Sequence, residues 1–292
     1  MQDWNLTHGD VHGSLDYHPA LTADGIRDLI TSRAEIAIMA RELFPAETLA
    51  IESSGGRGVR IVPIATGAFN TPGKSHAIAI YVHRDNPMEE ISTLQLAEIF
   101  ARPAEGSTAA DPLTWDRFVD DAGFQGHPIH PIGMVSIRES GNPPGIVNYL
   151  ETEVFGRRQD GGRVREIPAP AGSHPLQEIV DEVAADPFAI GYSGFAFSND
   201  DAKTLRIVGN DGGPSVEGTP ETVASRKYPL TRTVYVAANQ TATGAISQSA
   251  SQFIRFILSP TEQRCLVEDK AKFIPLPEAE RQLADQLVSI EE

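Results

Sequence analysis

The stretch that decides the fold runs from His76 to Phe100, HAIAIYVHRDNPMEEISTLQLAEIF. Ala77 to Val82 is a short apolar run, of a length that suits a buried strand better than a helix. Asn86-Pro87 closes it, because proline lacks an N–H and restricts the residue before it to extended backbone. An amphipathic helix then starts near Ser92 and reaches Ile99-Phe100. Strand, turn and helix follow one another within this one segment.

The same alternation continues in both directions. Upstream, Thr22 is placed to cap a helix in ADGIRDLITSR, with Ile26, Leu29 and Ile30 on one face. AEIAIMA reads as a buried strand, PAETLAIESSGG as a short helix stopped by glycine, and GVRIVPIATG as a strand. HGSLDY, near the N-terminus, is a short strand-like run. Downstream, WDRFVDDAG is a short helix, HPIGMVSIR a strand, LQEIVDEVAADP a helix and FAIGYSGFAF a strand. KTLRIVGNDGG and YPLTRTVYVAAN are strands. Two helices meet at Pro260, and a last helix follows FIPLP. Strands alternating with helices throughout define an α/β chain.

The composition narrows the function. Lys and Arg number 24 against 40 Asp and Glu, a net charge of −16 over 292 residues. Such a chain repels nucleic acid and anionic lipid, and no basic block offsets this. No run is long and apolar enough for a membrane span, so no membrane insertion is expected. Cys265 is the sole cysteine, which excludes an internal disulfide and a cysteine-based zinc cluster. Its helical context predicts a small core residue. The opening MQDWNLTHGDVHGSLDY has no basic region, apolar core or cleavage motif of a signal peptide.

One segment carries recognisable binding chemistry: SIRESGNPPGIVNYL, Ser136 to Leu150. It joins a strand to a helix and holds an arginine ahead of the helix start. Helix N-termini present unpaired N–H groups and partial positive charge, and a guanidinium adds a planar fork of donors for phosphate or carboxylate. Arg138, Ser140, Gly141 and Asn142 are therefore anion-site candidates, with Asn142 as cap and Pro143 at the first helical position. A surface arginine before a tight turn is the competing reading. Thr22 and Arg41 each stand at another helix start. His8, Asp10 and His12 alternate, but without a fourth ligand they read as a polar N-terminus. His127 and His130 read as a turn. SSGGRG lacks the spacing of a dinucleotide loop, and GYSGF misses the nucleophile-elbow pattern at Ser193. No catalytic residue, metal site or cofactor is expected.

Taken in order, these segments resemble the periplasmic phosphate-binding proteins of ABC importers. HAIAIYVHRDNPMEEISTLQLAEIF is similar to that family's first hinge strand, Asn-Pro turn and following helix. IGYSGFAF and YPLTRTVYV are similar to its second-lobe strand and return hinge, and FILSPTEQRCLVEDKAKFIPLP to its closing helix and tail. The resemblance implies a two-lobe, Venus-flytrap fold with two hinge strands. Lobe 1 would comprise residues 1–82 and 229–292, and lobe 2 residues 83–228. It implies an anion held by helix N-termini and an arginine, with Arg138 as that arginine and Thr22 and Arg41 contributing from the first lobe. It further implies a periplasmic or extracytoplasmic monomer that takes phosphate or a similar oxyanion and delivers it to an ABC permease.

Three departures qualify this. The family's Ser-Gly-Thr falls on Asn142-Pro143-Pro144, which removes two N–H donors unless Ser140 and Gly141 take over. The family's serine before arginine falls on Ala40. Met1 aligns inside the family's first helix, just before Trp4, so its first strand and first anion loop are expected to be missing, through a mis-assigned start or a truncated gene. The alternative is thus a diverged or truncated binding fold that has lost phosphate and serves another ligand or a partner protein. A phosphatase on the same scaffold finds no nucleophile–base pair here.

Overall fold

The computed structural model describes residues 16, 18, 22–54, 58–72, 74–103, 113–137, 142–168, 172–268 and 272–288. The expectations for HGSLDY, for His8, Asp10 and His12, and for the start of the chain fall almost wholly outside these residues. The chain divides into two compact units: Met1–Ala68 with Arg232–Glu292, and Phe69–Thr231.

Unit 1 is built on a three-stranded antiparallel sheet of order β1-β10-β2, with β1 at Ile36–Met39, β2 at Val59–Thr66 and β10 at Thr233–Asn239. Strand alternation splits β10 between two apolar layers. Val234, Val236 and Ala238 face Val62, Ile64, Ile254, Leu258 and Ala284. Ala237 faces Ala37, Met39, Ile26 and Leu29 on the opposite side. Helix α1 (Thr22–Ile30) covers the second layer, and the later helices α7 (Gln248–Leu258) and α9 (Glu278–Leu287) cover the first. Pro63 lies inside β2, where a ladder donor is missing. The pairing with β10 shifts there, between Val234 and Tyr235, as a bulge absorbs the proline.

Unit 2 holds a five-stranded sheet of order β6-β5-β7-β3-β8. Its strands are β3 (Ile78–His83), β5 (His130–Met134), β6 (Arg165–Ile167), β7 (Ala189–Gly194) and β8 (Ala202–Thr204). Strand β5 runs parallel to β6 and β7, and β3 runs antiparallel to β7 and β8. Strand β3, assigned from sequence to the first lobe, therefore lies in unit 2. Both its ladder partners come from the middle of the chain, and the crossings between units fall after Ala68 and Thr231.

A second pair, β4 (Glu90–Ser92) and β9 (Arg206–Val208), is parallel. Helix α3 (Thr93–Phe100) starts as expected: Ser92 Oγ accepts the Gln95 amide at 3.1 Å, and Gln95 Oε1 accepts the Ser92 amide at 2.8 Å. Helix α4 (Gly145–Tyr149) continues directly as a π-helical segment, Leu150–Phe155. Phe155 of that segment stacks on Phe100 of α3. Helix α5 (Pro175–Ala185) packs on β7, and the short α6 (Pro220–Ala224) was not anticipated. Trp115 is fully buried in a 3-10 turn, its Nε1 donating to Phe188 O at 2.9 Å.

Helices α2 (Pro45–Ser53) and α8 (Pro260–Glu268) are the remaining helices among the described residues. Cys265, expected in the core, is exposed on α8. That helix buries Gln263 toward the sheet instead, and Gln263 Nε2 reaches Ile64 O at 2.8 Å. No helix among the described residues is long and apolar enough to cross a membrane.

Candidate functional site

In unit 2 the sheet topology itself points to a binding edge. The chain leaving β5 returns through α4 to β6 on one side, whereas the chain leaving β7 goes on to β8 on the other. The carboxyl ends of β5 and β7 thus form a topological switch point, where open α/β sheets bind ligands. The segment leaving β5 is the one containing Arg138. Arg138, Ser140 and Gly141 lie outside the described residues, and Asn142 is half-buried just beyond them.

The helix after this segment begins later than expected. Pro144, with φ −57° and ψ 150°, is the N-cap residue, and Gly145 opens the helix. Asn142 is therefore not the cap, and Pro143 is not the first helical residue. Two prolines in succession explain this: Pro144 disfavours αR backbone at Pro143, and Pro144 is itself extended. The consequence for an anion is the reverse of that expected. The prolines precede the helix, so its first-turn amides at Gly145, Ile146 and Val147 all belong to residues with an N–H. The first intrahelical bond runs from Asn148 N to Pro144 O at 2.9 Å.

The departure of the chain from β5 is held by a closed ring of hydrogen bonds. Tyr192 on β7 lies across Gly133 on β5, where any β-carbon would stand 2.7 Å from the ring. Its hydroxyl accepts the Met134 amide at 2.9 Å and donates to Gln159 Oε1 at 2.7 Å. Gln159 Nε2 donates back to Met134 O at 2.9 Å. Burial pushes the Tyr192 hydroxyl far above the ordinary tyrosine range, so it is a permanent neutral donor. Tyr192→Phe keeps the ring but strips Met134 N of its buried acceptor. It is expected to lower unfolding free energy by ~1–3 kcal/mol in urea titration; an unchanged midpoint would refute the ring's role.

In unit 1, Thr22 is the first residue of α1, and its Oγ1 accepts the Ala40 amide at 3.2 Å. That contact ties the start of α1 to the end of β1, and the hydroxyl retains its own proton to donate. Arg41 follows directly and is buried. Its guanidinium meets Glu47 through two bonds, Nη1 to Oε2 at 2.8 Å and Nη2 to Oε1 at 2.7 Å. Nη1 also donates to Glu42 O at 2.8 Å, and Cζ sits 3.5 Å from the centre of the Phe44 ring. Glu47 Oε2 in addition accepts the Phe44 amide at 2.8 Å, anchoring the start of α2. Arg41 is thus engaged by this chain's own carboxylate. Beside it, Arg232 Nη2 stands 3.3 Å from Glu42 Oε2, both side chains buried.

The sequence reading missed Glu42, Glu47 and Arg232. The one local signal was an acidic residue at the third position of α2, the place from which a side chain reaches back. Elsewhere, His130 Nδ1 lies 2.6 Å from Asp186 Oδ2, and His127 stacks on Phe188 at 4.0 Å. Ser193 Oγ is buried and donates to Leu176 O at 2.7 Å. Among the described residues no three His, Cys, Asp or Glu side chains form a group able to hold a metal ion.

With the switch point and its helix in place, the class of protein follows: residues 7–261 match the PBP superfamily domain, and the chain belongs to that family. It is similar to the phosphate-binding protein PstS of Pseudomonas aeruginosa, at 27% identity over 91% of this chain and 72% of that protein. The protein SphX of Synechococcus elongatus is 24% identical over 88% of this chain and 67% of that one. In three dimensions it is similar to an ABC-type phosphate transport receptor from Vibrio cholerae. There the TM-score is 0.55 at 17% identity, covering 94% of this chain and 93% of that structure.

Proposed function

We propose that the protein is the solute-binding component of an ABC importer and takes phosphate or a related oxyanion, acting outside the cytoplasm as a monomer. Relatives named as phosphate-binding proteins support the ligand class. The observation that carries the reading is the strand-to-helix segment at the switch point. There an arginine, Arg138, precedes a helix whose first-turn amides are not used up by prolines. Arg138, Ser140, Gly141 and Asn142 are the proposed anion-binding residues in unit 2, and Thr22 is a proposed anion-binding residue in unit 1. Arg41 serves instead to fix the loop after β1. An ABC permease is the partner expected to receive the anion. The alternative of a fold that has lost phosphate rested on the two prolines, on Ala40 and on the first anion loop expected to be missing, and its first ground weakens once the prolines precede the helix.

Isothermal titration calorimetry with inorganic phosphate tests the reading. Binding at micromolar concentration or tighter is expected, and no heat at millimolar phosphate would overturn it.

A further inference from the structure

In unit 1 a groove of about 460 Å³ opens where the end of α7 meets α9. That volume suits a small organic molecule and is far more than a phosphate ion fills. Two arginines line the groove, Arg255 from α7 and Arg281 from α9, in a chain whose net charge is −16. The two are differently committed. Arg255 Nε lies 3.5 Å from Asp285 Oδ1, and both side chains are partly exposed. Arg281 is half-buried, and its Nη1 donates to Leu258 O, at the end of α7, at 3.2 Å. Capping a helix terminus in this way uses a single N–H. A guanidinium holds five in one plane, so the rest of the fork remains on a side chain that lines the groove.

The lining is polar apart from Leu258. Ser259 Oγ accepts the Glu262 amide at 3.4 Å and keeps its own proton to donate. Gln282 and Gln286 bring side-chain amides, which donate and accept alike. Asp285 offsets one of the two arginines, so the lining carries a single positive charge in excess. The geometry points to a second binding site, additional to the proposed phosphate site: a groove for one carboxylate on a polar organic body, the size of a short peptide end. Arg281 holds the carboxylate, and Gln282 and Gln286 meet the amide groups beside it. Asp285 competes for the arginines and limits the affinity.

NMR titration of the full chain with N-acetyl-glycylglycine tests this, with the C-terminal amide of the same dipeptide and sodium acetate as comparisons. The acid is expected to shift the backbone amide signals of Ser259 and Gln282. The C-terminal amide should bind at least ~10-fold more weakly, because it offers Arg281 no charge. Acetate should bind at least ~3-fold more weakly, because it lacks the neighbouring amides. Arg281→Gln should weaken binding of the acid at least ~10-fold. Asp285→Asn should tighten it ~3-fold or more by removing the competing carboxylate, a gain that a folding defect cannot imitate. If Arg281 does no more than cap α7, Arg281→Gln lowers the thermal midpoint but binds within twofold of wild type, and the inference is overturned. Equal binding of acid and amide, acetate as tight as the dipeptide, or an Asp285→Asn variant no tighter than wild type would each overturn it too. These signals belong to the groove, so the result neither rests on the phosphate reading nor tests it.

Discussion

Arg138→Ala is expected to reduce phosphate affinity at least ~100-fold, about 2.7 kcal/mol, with little change in thermal stability. A guanidinium offers two parallel charge-assisted bonds to an oxyanion, each stronger than a neutral one, and alanine removes both with the positive charge. Arg138→Lys should recover only part of the loss, because an ammonium supplies charge without the fork. Arg41→Ala is the informative contrast. Arg41 is satisfied by Glu47 and by Glu42 O, so its loss should appear as instability of unit 1 rather than as a weak site. Calorimetry and thermal melts on the same samples separate the two. Arg138→Ala binding within threefold of wild type would remove the arginine from the site and leave the amides of α4 to carry it alone. Should Arg41→Ala lose affinity instead, the assignment between the two arginines is inverted.

How far the sequence led depends on how local each cause was. The strand-turn-helix from Ile78 to Phe100 was legible because an apolar run, an Asn-Pro turn and a capping serine each act on near neighbours. KTLRIV was read as one strand but serves two: β8 pairs with β3 and β9 with β4, and Leu205 between them donates its amide to Ile80 O at 2.9 Å. No periodicity could announce that division, because each half is a strand of only three residues. The late start of α4 was a matter of two prolines competing for one capping position, which residue preferences alone do not rank. Thr22 was read as a helix cap; among the described residues α1 begins at Thr22, and its hydroxyl meets the Ala40 amide, 18 residues on. Arg41 was conspicuous and Glu47 was not, because the two meet across a turn rather than along a helix face. The segment bearing Arg138 drew attention through chemistry alone, and its place at a switch point emerged only with the strand order.

The largest stability effect should come from the pair that no local pattern could reveal. Arg232 and Glu42 lie 190 positions apart, and both are almost fully buried. Arg232 immediately precedes β10, the strand that pairs on both sides in unit 1 and contributes to both of its apolar layers. Removing one member of a buried ion pair takes a counter-charge from the other in a low-dielectric setting, a loss of up to ~3–5 kcal/mol. Arg232→Ala should therefore lower the midpoint of thermal unfolding by roughly 10 °C. The cause is separable from lost packing. If stranded charge dominates, Arg232→Met combined with Glu42→Leu should be more stable than Arg232→Ala by several kcal/mol and approach the wild type, since apolar replacement of a whole pair is often nearly neutral. If packing dominates, the double variant should be no better than the sum of its parts. A single variant melting within ~2 °C of wild type would show that water or another donor already neutralises Glu42, and the buried pair would then be no support for β10.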